Sequence, residues 1–228
     1  MDDDTPSASG HDFDFVESLR VLVGESKQEF MVHRDIITHR SAFFAAAVSA
    51  RWKPVPIKHI ELPEDKPHIF ADYLHCLYLG TVKFKGKATQ DLADLYILAD
   101  KLGDLKGANT IMDRFILCNE AVRTLPLVRD VIYIFEHTAP SSKLRQVVVD
   151  YWMHAAAPAE LKDIIQDVTR RGETDISAAL LLEVVRVMEE SFETKVRKAF
   201  NQQVPYRRKC YYHQHGEGCL ECPSVSDK

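Results

Sequence analysis

The densest set of chemically active side chains lies near the C-terminus. Cys210 and His213 are separated by two residues, as are Cys219 and Cys222, and His215 lies between the two pairs. Thiolate sulfur and imidazole nitrogen are preferred ligands of tetrahedral zinc, and a pair with this spacing can hold one side of the ion. The spacing therefore predicts a zinc site at Cys210, His213, Cys219 and Cys222, with His215 as an alternative ligand. The competing interpretation is a flexible tail with unligated thiols.

A basic and aromatic stretch precedes these ligands and reads Tyr206-Arg207-Arg208-Lys209. Basic residues interleaved with aromatic rings can follow a phosphate backbone and stack on bases. The stretch therefore supports an alternative function, that of a zinc-dependent regulator that binds nucleic acid. The net charge of -5 argues against chain-wide attraction to nucleic acid or an anionic membrane. We expect protein partners, with no membrane and with nucleic acid as the weaker alternative.

No catalytic constellation accompanies the tail. The sequence contains none of G-x-x-x-x-G-K-[ST], G-x-G-x-x-G, G-x-S-x-G and H-E-x-x-H. His33 has no acid or nucleophile beside it in the sequence, which favours a structural hydrogen-bonding role. His75 and Cys76 are adjacent on a predicted helix, where neighbouring side chains do not face each other. The sequence predicts a non-enzymatic protein that has no cofactor other than zinc in the tail.

The five cysteines and the N-terminus bear on the compartment. An odd number does not suit a fully paired disulfide framework, so we expect a reducing environment. The acidic start, MDDDTPSASGHDFD, does not resemble a signal peptide. The sequence therefore predicts a protein of the cytoplasm, the nucleus or both.

The first half of the chain mixes strand and helix patterns. Apolar residues alternate in SLRVLVG and again in EFMVH, which predicts a hairpin of two strands, and HIELP and TVKF predict two more. Ile36 and Ile37 indicate a short helix, and Ser41 is a suitable N-cap for the next. Pro67 fits the first turn of a longer helix that Gly80 ends. We expect an α+β region with Phe43, Phe44 and Leu77 in its core.

From Thr89 onward the apolar spacing is helical throughout. The predicted helices carry Leu92 to Leu102, Ala108 to Phe115, Leu127 to Phe135, Leu144 to Trp152, Leu161 to Val168 and Ile176 to Met188. Pro126, Pro140, Pro158 and Gly172 separate the last four. The predicted organisation is a flexible acidic tail (1–14), an α+β domain (15–120), a helical extension (121–204) and a Cys/His-rich tail (205–228).

Three segments in this order resemble the BTB/POZ family over residues 15 to 118. The first is VLVGESKQEFMVHRDIITHRSAFFAAAVS, in which Val32, His33, Ile37, Ser41, Phe43 and Phe44 match the family pattern. The second is IELPED followed by Phe70, Tyr73, Leu77, Tyr78 and Gly80. The third is DLADLYILADKLGDLKGANTIMDRF. With SARWKP and CYYHQH, the chain is similar to fungal proteins that carry one BTB domain and a helical tail.

The resemblance implies a BTB/POZ-like fold followed by a helical extension, and a protein-interaction function. Members of the family associate through the first helical hairpin, which implies a homodimer contact at Ile36 and Ile37. The resemblance also implies a ubiquitin-ligase adaptor role, with partner contacts near Trp52. The family's cullin-binding loop often has a hydrophobic-x-Glu element, whereas this loop reads VSARWKP and contains no glutamate. That departure argues against a cullin partner.

Overall fold

The computed structural model describes residues 13–49, 59–83, 89–122, 126–155, 166, 170 and 210–215. The chain divides into two compact units, Met1–Pro67 (unit 1) and His68–Lys228 (unit 2). Within the described ranges, unit 1 holds a small sheet with two helices, and helices make up the regular structure of unit 2. The predicted α+β class is confirmed.

The sheet of unit 1 has three strands in the described residues. They are β1 (Ser18–Val23), β2 (Gln28–His33) and β3 (Ile60–Leu62), in the order β2-β1-β3. β1 pairs antiparallel with β2, as the predicted hairpin requires, and parallel with β3. Side chains alternate between the two faces of a strand, so Leu19, Val21 and Val23 of β1 all enter the core.

Two short helices follow the hairpin in unit 1. They are α1 (Arg34–Arg40) and α2 (Ala42–Val48). The Ser41 hydroxyl between them accepts a hydrogen bond of 3.2 Å from the backbone N–H of Phe44. An N-cap side chain satisfies a donor that the first helical turn leaves unpaired, so the predicted cap at Ser41 is confirmed.

Five longer helices follow. They are α3 (Pro67–Leu79), α4 (Thr89–Lys101), α5 (Leu105–Val122), α6 (Val128–His137) and α7 (Lys143–Ala155). Gly80 ends α3 with a φ of 65°, a left-handed conformation that glycine adopts without steric cost. The apolar stripes predicted for α4 and α5 are buried along their length, from Leu92 to Leu102 and from Ala108 to Phe115. None of the described helices is long and apolar enough to cross a membrane.

Buried polar side chains cap two helix ends in unit 2, the start of α5 and the end of α6. Asp104 accepts a hydrogen bond of 2.8 Å from the N–H of Gly107 at the start of α5, and another of 3.3 Å from the Tyr73 hydroxyl. The Arg145 guanidinium of α7 donates to the carbonyls of Phe135 and Thr138 at the end of α6. These bonds satisfy terminal groups that have no partner inside their own helix.

Two predictions about the elements and the core were wrong. Thr81, Val82 and Lys83 of the predicted strand TVKF form no strand, and Phe84 lies outside the described residues. Phe43 was expected in the core but is 37% exposed, because the core-facing side of α2 is occupied by its neighbour Phe44. The helix predicted from Leu127 is present as α6, with Leu127 as its N-cap.

Two further sets of predictions are not decided by the fold. The helices expected over Leu161 to Val168 and over Ile176 to Met188 fall almost wholly outside the described residues. The three boundaries between the four predicted segments stay predictions.

Candidate protein-interaction surfaces

Unit 1 exposes large apolar side chains on the segment before β1 and on β2. Phe15 is 61% exposed, Val16 87% and Met31 60%. In the sheet order, β2 lies at an edge. Met31 pairs across the sheet with Arg20, so charged side chains border it. For brevity, Phe15, Val16 and Met31 and the half-buried Ile36 of α1 are together called the apolar face of unit 1. Groups of exposed apolar side chains are characteristic of protein contact sites.

Contacts with α1 and its N-cap hold the segment before β1 in place. The ring of Phe13 meets His39 edge-on at 5.3 Å between centroids, and that of Phe15 meets His33 at 5.5 Å. The Asp14 N–H donates to the Asp35 carboxylate at 3.1 Å. Because these contacts occur at successive residues, the segment follows α1 and presents Val16 to solvent.

The predicted partner-binding residues Ile36, Ile37 and Trp52 differ in how accessible the structure shows them to be. Ile36 is half-buried and remains available for a contact. Ile37 is fully buried in unit 1, so its side chain forms part of the core rather than an accessible surface. Trp52 lies outside the described residues. His33, expected to form structural hydrogen bonds, stacks edge-on with Phe15.

The segment Cys210–His215, called the C-terminal segment below, makes contacts within unit 2. It begins with a turn in which the His213 N–H donates to the Cys210 carbonyl at 3.1 Å. Cys210 is buried and has a φ of 65°. Tyr212 is also buried, and its hydroxyl donates to the Asp150 carboxylate of α7 at 2.6 Å. The segment is therefore anchored by a buried side chain.

Gln214 makes hydrogen bonds through both its backbone and its side chain. Its backbone N–H donates to Asn109 Oδ1 and its carbonyl accepts from Asn109 Nδ2, both at 2.8 Å. Its side-chain amide donates to the Tyr96 hydroxyl at 3.0 Å and to Asp100 Oδ1 at 2.9 Å. Asn109 therefore holds the backbone, while α4 binds the carboxamide.

The predicted zinc ligands are only partly described. Cys210 and His213 flank one turn, and His213 Nε2 lies 2.7 Å from Asp113 Oδ1 of α5. A carboxylate on one ring nitrogen is the usual arrangement for a metal-binding histidine, because it leaves the other nitrogen for the ion. Cys219 and Cys222 lie outside the described residues, and no three metal-ligating side chains cluster within the described ones. The zinc site stays a prediction.

Burial controls the protonation of the tyrosines around this segment. It raises the pKa of Tyr96 to about 12, with a further contribution from Asp100. Burial also raises the pKa of Tyr212 far above its ordinary range, and the adjacent Asp150 carboxylate adds to the effect. Both hydroxyls are protonated at neutral pH, as tyrosine ordinarily is, and the raised pKa values extend that range into alkaline solution.

Sequence reasoning missed the residues that receive the C-terminal segment. They form three pairs, each spaced by four residues on one helix: Tyr96 and Asp100 on α4, Asn109 and Asp113 on α5, Gln146 and Asp150 on α7. Residues four apart share a helix face, so the spacing was visible as polar pairs beside apolar stripes. Nothing in the sequence indicated that the three pairs bind one segment.

Comparison with known families supports the architecture. Residues 18–117 match the model of the BTB/POZ domain. The chain is a BTB domain-containing protein. The matched region runs from β1 into α5, so that α6, α7 and the C-terminal segment lie beyond it. No curated protein matches the chain.

A BTB domain is in general a protein–protein interaction module and is generally non-enzymatic. The match and the helices beyond it confirm the predicted BTB/POZ-like fold followed by further helices. Protein–protein interaction is the general function that such a domain supports. The narrower similarity to fungal single-BTB proteins stays a prediction.

Proposed function

We propose that this BTB protein self-associates through the apolar face of unit 1 and in that way acts as a non-enzymatic scaffold or adaptor. The observation that carries the proposal is the exposure of Val16 and Met31, at 87% and 60%. Full burial of one such side chain contributes roughly 1.5–3 kcal/mol. Two copies that cover Val16 and Met31 of each chain would gain this contribution at each covered side chain, which offsets the entropy lost on association.

The position of β2 at the edge of the sheet could also support association through its backbone groups. β2 is an edge strand, so one row of its backbone groups has no neighbouring strand within the described sheet. Edge strands pair readily with another chain unless charge or proline prevents it. Here the charged Glu29 lies on β2, where it forms an ion pair with Arg20 at 2.6 Å. This arrangement favours side-chain contacts at Met31 over extension of the sheet.

A cullin is the weaker candidate among protein partners. The loop that would hold a hydrophobic-x-Glu element is VSARWKP and has no glutamate. Its residues from Ala50 onward, including Trp52, lie outside the described ranges. The proposal therefore rests on self-association, and a ubiquitin-ligase adaptor role would require a different cullin contact.

Light scattering coupled to size exclusion tests the proposal on the full chain. Wild type should elute with twice the chain mass of 26.0 kDa at tens of micromolar. Val16→Asp and Met31→Asp place a charge in the contact and should each weaken association by at least about tenfold. Ile36→Asp should act in the same direction.

The matched control is Leu127→Asp, which adds the same charge at an exposed leucine of unit 2. It should leave the mass unchanged. A wild-type chain that is monomeric at high micromolar concentration would rule out self-association, and equal effects of Leu127→Asp and Met31→Asp would show that the face has been misassigned.

A further inference from the structure

The three helices that receive the C-terminal segment use the same spacing. α4 contributes Tyr96 and Asp100, α5 contributes Asn109 and Asp113, and α7 contributes Gln146 and Asp150. We call these six residues the three-helix surface. Each helix offers one carboxylate and, four residues before it, one neutral polar side chain. The surface therefore provides a regular set of hydrogen-bonding groups on a rigid scaffold.

The backbone contact of this surface does not depend on the identity of the bound residue. Asn109 donates to the carbonyl of Gln214 and accepts from its N–H, both at 2.8 Å. A carboxamide that pairs in this way with a backbone N–H and C=O reproduces the pattern of a neighbouring strand. Any peptide of matching conformation could make these two bonds, so Asn109 gives affinity without sequence selectivity.

The side-chain contacts are selective. The amide nitrogen of Gln214 has two acceptors, Tyr96 and Asp100, and a glutamate at that position would face the Asp100 carboxylate instead. Two residues earlier, the Tyr212 hydroxyl donates to the buried Asp150 at 2.6 Å. Phenylalanine there would leave a buried carboxylate without that donor, which is costly. The surface thus distinguishes tyrosine at one position and a carboxamide two residues later.

The sequence that immediately precedes the C-terminal segment is opposite in charge to the surface. The surface carries three carboxylates, Asp100, Asp113 and Asp150. The sequence over residues 205–216 contains no acidic residue and includes three basic ones, Arg207, Arg208 and Lys209. Opposite charges favour the encounter and disfavour acidic competitors. The hydrogen bonds that hold the segment involve only a few of its residues, so a separate peptide with the same residues could form them.

From these contacts we infer that the three-helix surface is a peptide-recognition site for partner segments of the form Tyr-x-Gln in a basic context. The C-terminal segment is its tethered occupant. A tethered occupant has a high effective concentration, so a partner must compete with it. The site lies wholly in unit 2 and differs from the apolar face of unit 1. The inference therefore goes beyond self-association and does not depend on it.

The probe for this site is a fluorescein-labelled synthetic peptide with the sequence of residues 209–216, KCYYHQHG, measured by fluorescence polarisation under reducing conditions. The receptor is the full chain carrying Gln214→Glu. This substitution places a carboxylate opposite Asp100, so that the tethered segment is released, and it leaves Tyr212 unchanged in the sequence. The released site should bind the peptide at least about tenfold more tightly than wild type, because the wild-type site is occupied.

Two changes in the peptide and one in the receptor test the selectivity. Peptides with Gln214→Glu or with Tyr212→Phe should each bind at least about tenfold more weakly. Asn109→Ala in the released receptor should reduce binding to a similar extent, since both backbone bonds disappear. The matched control is Thr110→Ala, the next residue of α5, whose hydroxyl bonds to Lys106 of the same helix. It should have no effect.

A measurement on wild type keeps the inference testable even if the Gln214→Glu chain fails to fold. Unlabelled peptide in large excess should raise amide hydrogen exchange in residues 210–215 and leave exchange in α4 and α5 unchanged. No saturable binding to the folded Gln214→Glu chain would overturn the inference. Equal binding by wild type and variant, or unchanged exchange of the segment in wild type, would also overturn it.

Discussion

Units 1 and 2 place their polar side chains differently. Two ion pairs of unit 1 lie at the surface: Arg20 meets Glu29 at 2.6 Å and Arg34 meets Glu17 at 2.6 Å, and each of the four side chains is more than 40% exposed. Unit 2 buries charged side chains as well, among them Asp104, Arg145 and Asp150. Both units have an apolar core, so the difference lies in what the polar residues do.

This difference separates two sources of stability. An exposed ion pair contributes about 0–1 kcal/mol, because water screens it and side-chain entropy opposes it. A buried polar group left without its partner costs about 1–3 kcal/mol, and more if it is charged. The structure therefore predicts that unit 1 tolerates the loss of its ion pairs, while unit 2 is sensitive to the loss of a single buried hydrogen bond.

Alkaline pH should show the largest contrast. All eight tyrosines lie in residues 68–228, and burial raises the pKa of Tyr96 to about 12 and those of Tyr133 and Tyr212 further still. A raised pKa means that the fold favours the protonated hydroxyl. This contribution is complete below the ordinary value of about 10 and is lost as pH rises through the raised value.

Methyl NMR between pH 9 and pH 12 can follow both units in one sample. The signals of Ile111 and Ile134 in unit 2 should lose dispersion first, while those of Ile37 and Ile60 in unit 1 persist. Simultaneous loss in both units would contradict the contrast.

Removal of a buried cation should have the next largest effect. Arg145→Met keeps the length of the side chain but leaves the carbonyls of Phe135 and Thr138 without their donor. It also removes a guanidinium that lies 4.7 Å from the centroid of the Phe135 ring. We expect a loss of about 2–4 kcal/mol in the free energy of unfolding, measured by urea denaturation.

The control for this prediction is Arg129→Met on α6, where the arginine side chain is 73% exposed. It should change stability by less than about 0.5 kcal/mol. Equal effects of the two substitutions would mean that Arg145 does not close the end of α6.

Loss of the cap in unit 1 should have an intermediate effect. Ser41→Ala removes the acceptor for the Phe44 N–H and should cost about 1 kcal/mol, since one donor of α2 loses its partner. Ser18→Ala, at an exposed position of β1, is the matched control and should be close to neutral. Chemical denaturation measures both, and a neutral Ser41→Ala would show that the cap is not used.

The ion pair between Arg20 and Glu29 at the surface of unit 1 should have the smallest effect among these interactions. A double-mutant cycle of Arg20→Ala and Glu29→Ala should give a coupling energy below about 0.5 kcal/mol, because both side chains are nearly half exposed. A coupling above 1 kcal/mol would remove the contrast between the units.

The zinc prediction concerns metal content rather than the stability of the helices. Protein purified without chelator should contain about one zinc ion per chain. Cys219→Ser with Cys222→Ser should abolish it and leave the main thermal transition in place. Thiolates bind zinc only after losing a proton, so the affinity should fall at lower pH. Absence of metal together with free reaction of Cys219 and Cys222 toward a thiol reagent would exclude the site.

Local patterns in the sequence determined most of the secondary structure. The alternation in SLRVLVG and EFMVH predicted β1 and β2, and Ser41, Pro67 and Gly80 predicted where helices begin or end. These features depend on neighbours within a few residues, so they can be recognised without the fold. The same patterns, in their order along the chain, were sufficient to identify the BTB/POZ domain.

Other features were decided only when distant segments met. TVKF has the composition of a strand, yet Thr81, Val82 and Lys83 form none, because a strand requires a neighbour with which to pair. The parallel pairing of β1 with β3 depends on a chain crossover that local pattern does not specify. Ile36 and Ile37 are equivalent in sequence, and only packing makes Ile37 part of the core.

The C-terminal segment depended most on tertiary structure. Its cysteines and histidines suggested metal chemistry, whereas the described contacts of Tyr212 and Gln214 are hydrogen bonds to α7, α4 and α5. Residues more than sixty positions apart form these bonds, so no local window contains both partners. The sequence determined the chemistry that each side chain carries, and the fold determined which side chains meet.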